Sequence, residues 1–200
     1  MDYYVILDFE ATCDVKKQPF PREIIEFPSV IIDVKTNRII AEFQQYIKPI
    51  YHPKLSEFCT QLTGIQQATV DKGITLDKAI TEYIKWLNNW GLLRAKFKII
   101  TVGDWDLGVI LPQQCKKHKI KSPHYLTKWI NIKDEFSNLY GVRSGGMVRM
   151  LQHLNLQLEG RHHSGIDDCR NTAKIWQRML EDGYMLGHNS IKNVLKFRAK

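Results

Sequence analysis

No run of about 18 apolar residues occurs in this 200-residue chain, so no membrane-spanning helix is expected. The opening residues, Met1-Asp2-Tyr3-Tyr4, carry no basic stretch followed by an apolar one, and a secretory signal is not expected either. Cysteine is scarce and scattered. Cys13, Cys59, Cys115 and Cys169 form no CxxC pair, which argues against a zinc ribbon. Without a secretory signal, free thiols in a reducing compartment are the expectation, and with them an intracellular, cytoplasmic protein. Repeats and low-complexity segments are absent. Acidic residues are in the minority, 21 against 29 Lys plus Arg, for a net charge of +8. A chain of this length suits one domain with a sizeable core, and its basic surplus suits a polyanionic partner such as nucleic acid, although it also aids solubility alone.

What the sequence does have is a pair of acids in an unexpected place. The run Tyr3-Tyr4-Val5-Ile6-Leu7 reads as a buried strand and continues into Asp8-Phe9-Glu10-Ala11-Thr12. On a strand over residues 3–10, Asp8 and Glu10 point to the same face. Two carboxylates on one face of a core strand repel each other and lose hydration, a costly arrangement unless a positive group sits between them. A divalent cation is the simplest such group.

The rest of the chain supplies further acids at element ends. Ile24 to Val34 reads as a second strand broken by Pro28, residues 35–38 as a turn, and Ile39 to Ile47 as a third strand, which together suggest an antiparallel meander. Ser56 to Leu62 and Thr75 to Trp90 carry helical spacing. Phe97 to Val102 reads as a buried strand leading into Gly103-Asp104-Trp105-Asp106. A helix is expected over Leu107 to His118, a strand over Trp129 to Ile132, and helices over Met147 to Leu154 and Ile166 to Glu181. Strands first, then strands interleaved with helices, imply an α/β fold with a mixed sheet. The basic segment after Gly183, with His188, Lys192, Lys196, Arg198 and Lys200, reads as a frayed helix or a loose phosphate-binding arm.

Three acidic clusters thus follow or begin elements: Asp8/Glu10, Asp104/Asp106 and Asp167/Asp168, the last preceded by Arg161-His162-His163-Ser164-Gly165. Oxygen ligands from strand ends and a helix can hold a pair of hard cations, Mg²⁺ or Mn²⁺. Two such ions stabilise the attacking and leaving oxygens of a phosphodiester, and a nearby histidine can take a proton from water. Each piece also has a plain structural reading. Asp8 can cap a turn, Asp104 and Asp106 can serve an Asx turn, Asp167 or Asp168 can oppose a helix dipole, and His163 can be an exposed loop residue.

The order Asp-x-Glu, a middle Asp, and His-x-x-x-x-Asp resembles the DEDDh 3′→5′ exonucleases, which share an RNase H-like fold. The resemblance tightens toward their Eri subfamily of exoribonucleases. It rests on residues 8–13, Glu23-Ile24-Ile25-Glu26-Phe27-Pro28, residues 58–65, Gly103-Asp104-Trp105-Asp106, residues 128–132 and His163-Ser164-Gly165-Ile166-Asp167-Asp168-Cys169. It covers residues 3 to 183 and implies a mixed five-stranded sheet flanked by helices. It also implies an exonuclease domain over 1–183 followed by a basic C-terminal tail over 184–200. Met1 lies just before the first strand, so no additional module is expected on that side.

The resemblance also selects among the acids. Asp106 rather than Asp104, and Asp168 rather than Asp167, join Asp8 and Glu10 as metal ligands, and His163 becomes the general base. The family often has proline at the position of His162. Asp8, Glu10 and Asp168 would hold the metal bearing the nucleophilic water; Asp8 would also touch a second, which Asp106 joins directly or through water. Two Mg²⁺ ions, with Mn²⁺ as a substitute, would release nucleoside 5′-monophosphates from the 3′ ends of single-stranded RNA or overhangs, with DNA as a further substrate. Backbone at Phe9 and Ala11 would approach the terminal sugar, and Leu55, Phe58 and Trp105 would sandwich the last base, core packing being the alternative. Thr63-Gly64-Ile65 would wedge beside the strand end, and Arg161 and Lys128 would meet phosphates or solvent.

Two other functions compete. An RNA-binding clamp or scaffold on the same fold has no reason to keep all five of Asp8, Glu10, Asp106, His163 and Asp168. An RNase H-like endonuclease is disfavoured by the His-x-x-x-x-Asp spacing.

Overall fold

The apolar run near the start forms β1 (Tyr3–Leu7), and its pairing explains why it lacks polar residues. In this computed structural model, which describes residues 1–16, 18–187 and 190–194, β1 lies inside the sheet with both faces covered. Val5 and Leu7 face one apolar cluster, Tyr4 and Ile6 the other. A strand buried on both sides reads as a continuous apolar run instead of an alternating one.

β1 pairs antiparallel with β3 (Ile24–Asp33), from Tyr3 opposite Asp33 to Leu7 opposite Ser29. β3 pairs on its other side with β4 (Arg38–Tyr46), so the expected meander is present. Parallel to β1 runs β5 (Phe97–Thr101), and parallel to that β6 (Lys128–Asn131). These five strands make the expected mixed sheet, and two short strands extend it. β2 (Glu10–Ala11) continues along β3 beyond the end of β1, and β7 (Ile191–Asn193) pairs antiparallel with β6.

Helices cover both faces. Before β5 come α1 (Glu57–Thr63), α2 (Gln67–Asp71) and α3 (Leu76–Asn89). α3 buries Ala79, Ile80, Tyr83 and Leu87 against Val5, Leu7 and Phe27. After β5 a π turn over Asp106–Ile110 runs into α4 (Leu111–His118). α5 (Ile132–Tyr140), α6 (Met147–His153) and α7 (Gly165–Glu181) close the opposite face. There Trp176 of α7 meets Tyr4 edge-on, with ring centroids 5.0 Å apart. Among the described residues, no helix is long and apolar enough to cross a membrane.

Four expectations need correction. The first strand stops at Leu7 instead of running to residue 10, because the ladder breaks there and resumes with a register shift at Glu10/Ala11. Pro28 does not break β3; it lies opposite the interval between β1 and β2, where the neighbouring ladder is already interrupted. Ile132 opens a helix instead of ending a strand, since the Asn131 side chain accepts from the Lys133 N–H and caps α5. The segment after Gly183 is neither a frayed helix nor a loose arm where it is described. The Tyr184 hydroxyl donates to Glu135 Oε2 at 2.8 Å, Lys192 pairs with Asp134 at 2.8 Å, and β7 joins the sheet. His188, Lys196, Arg198 and Lys200 lie outside the described residues.

Trp176 is fully buried between α7 and β1. Trp176→Ala is expected to cost about 3–5 kcal/mol, the range for emptying a buried aromatic site. A urea melt checks this, and a shift below about 1 kcal/mol would show that the α7 contact is not a main support of the core.

Candidate active site

The interruption between β1 and β2 creates the site. Where the ladder lapses, the Phe9 ring turns into the core and stacks edge-on against Phe27 at 4.8 Å. Its N–H is left to donate to Asp106 Oδ1 at 2.8 Å. Asp8 and Glu10 flank this anchor, so one backbone hydrogen bond joins the first acidic pair to the second cluster.

Each of the other two clusters is sorted by its hydrogen bonds. Asp104 is turned away, accepting from Trp129 Nε1 at 2.8 Å, whereas Asp106 is buried at the start of the π turn. Asp167 accepts from Arg170 Nη1 at 2.9 Å and from the Arg161 N–H at 3.0 Å. Asp168 is buried, and its Oδ2 accepts from the His163 N–H at 3.0 Å.

α7 must approach β3 closely to bring Asp168 here, and Gly165 permits this. A Cβ at Gly165 would lie 2.7 Å from Pro28 Cγ and 3.1 Å from the Asp8 carbonyl oxygen. Glu26, buried on β3, accepts from the Gly165 N–H at 3.2 Å and from Gln44 Nε2 at 2.8 Å. Sequence reasoning assigned Glu26 no role. Its signal was an acid between apolar neighbours in a strand interior, where a carboxylate needs donors.

The electrostatics follow from this crowding. Burial pushes the Asp8 carboxyl well above its ordinary range, and Asp106, Glu10, Asp168 and Glu26 push it further. Burial first, then Glu26, Asp168 and Asp106, raise Glu10 to about 9. Burial raises Asp106 to about 7 against the opposing Phe9 N–H. Asp168 is also raised by burial, but the His162 and His163 hydrogen bonds resist it. The charges acting on Asp8 are all negative. An all-oxygen donor set under mutual repulsion fits a hard divalent cation and would be relieved by one.

The two histidines sit over Asp168. His163 adopts a left-handed φ of 68° and is half-buried, and burial, then His162, lowers its pKa below the ordinary histidine value. The shift favours the neutral imidazole that a proton acceptor needs. His162 stacks on it with centroids 3.8 Å apart, and its Nδ1 lies 3.3 Å from Asp168 Oδ1.

The remaining candidates divide. Phe58 is half-buried on α1 and, among the described residues, joins none of the three apolar clusters. Trp105 rests on the first cluster beneath the Arg22 guanidinium, whose carbon is 5.6 Å from the ring centroid. Leu55 lines a cavity of about 440 Å³ with Thr12, Cys13 and Ser56. The Ala11 carbonyl accepts from Cys59 Sγ at 3.7 Å. The Thr63 hydroxyl is engaged within α1, donating to the Cys59 carbonyl and accepting from the Ile65 N–H. Lys128 is exposed at the start of β6. Arg161 is exposed and turned toward α1. Its guanidinium lies on the Gln61 and Leu62 carbonyls at the end of α1, passing where a Cβ on Gly64 would strike it.

Comparison with known proteins places this geometry in context. A model of the exonuclease family, of RNase T type, matches residues 5–176. The chain is 42% identical to human ERI1 exoribonuclease 3 over 191 residues, covering 94% of this chain and 56% of that protein. It is 37% identical to human ERI1 exoribonuclease 2, with 92% of this chain and 29% of that protein covered. With the 3′-5′ exonuclease Snipper of Drosophila melanogaster the identity is 39%, covering 90% and 70%. The chain therefore spans about half or less of the two ERI1 exoribonucleases and a larger share of Snipper. The fold is similar to the nuclease domain of 3′hExo, a DEDDh family member bound to rAMP, with a TM-score of 0.87 and 41% identity. That match covers 91% of this chain and 93% of the other.

Raised carboxyl pKa values mean that the metal-free folded state holds more protons than the unfolded state. Its stability therefore falls as pH rises from the ordinary carboxylate range, near 4, through about 7 for Asp106 and about 9 for Glu10. Thermal melts in EDTA from pH 5 to 9 are expected to show this fall, Glu10→Gln to flatten it, and added Mg²⁺ to restore the alkaline Tm. Equal pH slopes in Glu10→Gln and the parent would contradict the repulsion.

Proposed function

This chain belongs to the exonuclease family, and we propose that it is a metal-dependent 3′→5′ exoribonuclease releasing nucleoside 5′-monophosphates from single-stranded RNA or 3′ overhangs, with DNA as a secondary substrate. What supports the reading is the repulsion that Asp106, Glu10 and Asp168 exert on Asp8, together with the amide hydrogen bonds of Phe9 to Asp106 and of His163 to Asp168. The relatives add support for RNA. One similar structure is described as bound to rAMP, another as a 3′-exonuclease recognising a histone mRNA stem-loop.

Asp8, Glu10, Asp106 and Asp168 would hold two Mg²⁺ ions, with Mn²⁺ able to substitute. Such ions supply charge stabilisation for the attacking and leaving oxygens of a phosphodiester. The protein supplies the rest. The Phe9 N–H fixes Asp106, the His163 N–H fixes Asp168, and Glu26 holds the start of α7, so the carboxylates are placed before substrate arrives. His163 accepts the proton of the attacking water at its imidazole. Phe58 and Trp105 stack the terminal base, with Leu55 beside them, the backbone at Phe9 and Ala11 approaches the sugar, and Thr63-Gly64-Ile65 wedges beside the strand end. Four free cysteines, three of them buried, support a reducing, cytoplasmic setting.

On 5′-labelled single-stranded RNA with Mg²⁺ the expected product is a descending ladder, abolished by EDTA and by Asp8→Asn. His163→Ala is expected to slow turnover about 10²–10⁴-fold. Efficient cutting of circular RNA would rule the mechanism out, because a circle offers no end.

Phe58→Ala tests the base platform separately. It should weaken substrate binding by about 1–3 kcal/mol, read from KM or from binding to Asp8→Asn protein. An unchanged affinity would assign Phe58 to packing.

A further inference from the structure

The histidine beside the base has no part in the proposed reaction, yet it is held against a carboxylate at a distance that suits a different ion. We infer that His162, His163 and Asp168 form a capture site for a borderline transition-metal ion, Zn²⁺ above all, distinct in chemistry from the oxygen-lined site for Mg²⁺. One donor atom from each of the three lies within 4.8 Å of the other two. His162 Nδ1 and Asp168 Oδ1 are 3.3 Å apart. Two ligands each about 2.0–2.1 Å from zinc at a tetrahedral angle stand about 3.4 Å apart, so this pair is already at the spacing of one tetrahedral edge.

The surroundings orient the set. Asp168 Oδ2 accepts from the His163 N–H, which leaves Oδ1 toward His162. The left-handed backbone at His163 brings the two rings into a stack with 22° between their planes. Imidazole lone pairs lie in the ring plane, so nearly parallel rings do not converge on one ion until one of them swings. His163 is the ring that has to turn, since His162 Nδ1 and Asp168 Oδ1 already stand at the required spacing. Three protein ligands leave a fourth position for water. Imidazole nitrogen suits zinc and its neighbours, whereas Mg²⁺ prefers oxygen and keeps its water. Zinc held here occupies His163 and draws Asp168 away from the acidic cluster, so it inhibits. That consequence rests on the proposed role of His163; the binding itself does not.

Co²⁺ serves as a spectroscopic substitute for zinc. Metal-free protein titrated with Co²⁺ is expected to develop the intense visible absorption of a four-coordinate ion, which Zn²⁺ then bleaches. In a Glu10→Gln background, which weakens the competing carboxylate site, calorimetry with Zn²⁺ should show at least tenfold weaker binding when His162→Ala is added. In Mg²⁺, the Zn²⁺ concentration for half-inhibition should rise at least tenfold in His162→Ala, each protein being normalised to its own zinc-free rate. Equal Zn²⁺ affinity with and without His162→Ala in the Glu10→Gln background, or only the faint spectrum of six-coordinate Co²⁺, would overturn the site. The spectrum and calorimetry need no nuclease activity, so a chain inactive on RNA would refute the proposed function and leave this result standing.

Discussion

Repulsion among crowded carboxylates, two of them buried and two half-buried, is the constraint around which the rest is arranged. Asp8, Glu10, Asp106 and Asp168 act on one another, and Glu26 adds a fifth negative group just behind them. Left to themselves they would separate or draw in water. Backbone amides hold them instead: Phe9 on Asp106, His163 on Asp168, and Gly165 on Glu26. Hydrogen bonds to charged groups contribute about 1.5–3 kcal/mol each, and protons retained on the raised carboxyls relieve part of the repulsion until a cation arrives. The cost is confined to a place where β1 has ended and β2 has not begun, so no regular ladder is spoiled.

The same economy extends to the walls of the site. Glu23, fully buried, accepts from three successive backbone N–H groups, those of Ile50, Tyr51 and His52, and so ties down the loop before α1. Arg161 reaches from the histidine loop to the terminal carbonyls of α1, a helix with no basic residue of its own in its last turn. A cation there opposes the negative end of the helix dipole. The wall bearing Phe58 and the loop bearing His163 are thereby joined, although they are about a hundred residues apart in the chain. The arginine that reads in isolation as a phosphate contact also acts as a strut between the two segments.

Much of this was legible from sequence because the signals were local. The buried β1, the meander, and the helices α1, α3 and α7 all follow from periodicity within a few residues. Local signals failed where two elements shared an apolar run, as at Ile132, which belongs to α5 although it continues the pattern of β6. They failed again at β7, a basic three-residue strand whose formation depends on the free edge of β6.

The sequence by itself determined the ingredients: acids after strands, a histidine five residues before the last of them, and a fold class in which such ends meet. Tertiary structure decided which member of each pair faces inward. Asp104 is claimed by the Trp129 indole and Asp167 by Arg170 and the Arg161 amide, leaving Asp106 and Asp168 for the cluster. Only tertiary structure shows that Glu26 supports α7 and that His162 lies against Asp168. The physical reason is the range of the forces involved. Periodicity and capping act over a few residues of chain, whereas desolvation and charge repulsion act over a few ångströms of space. Which residues share those ångströms is settled only when the sheet and helices have packed.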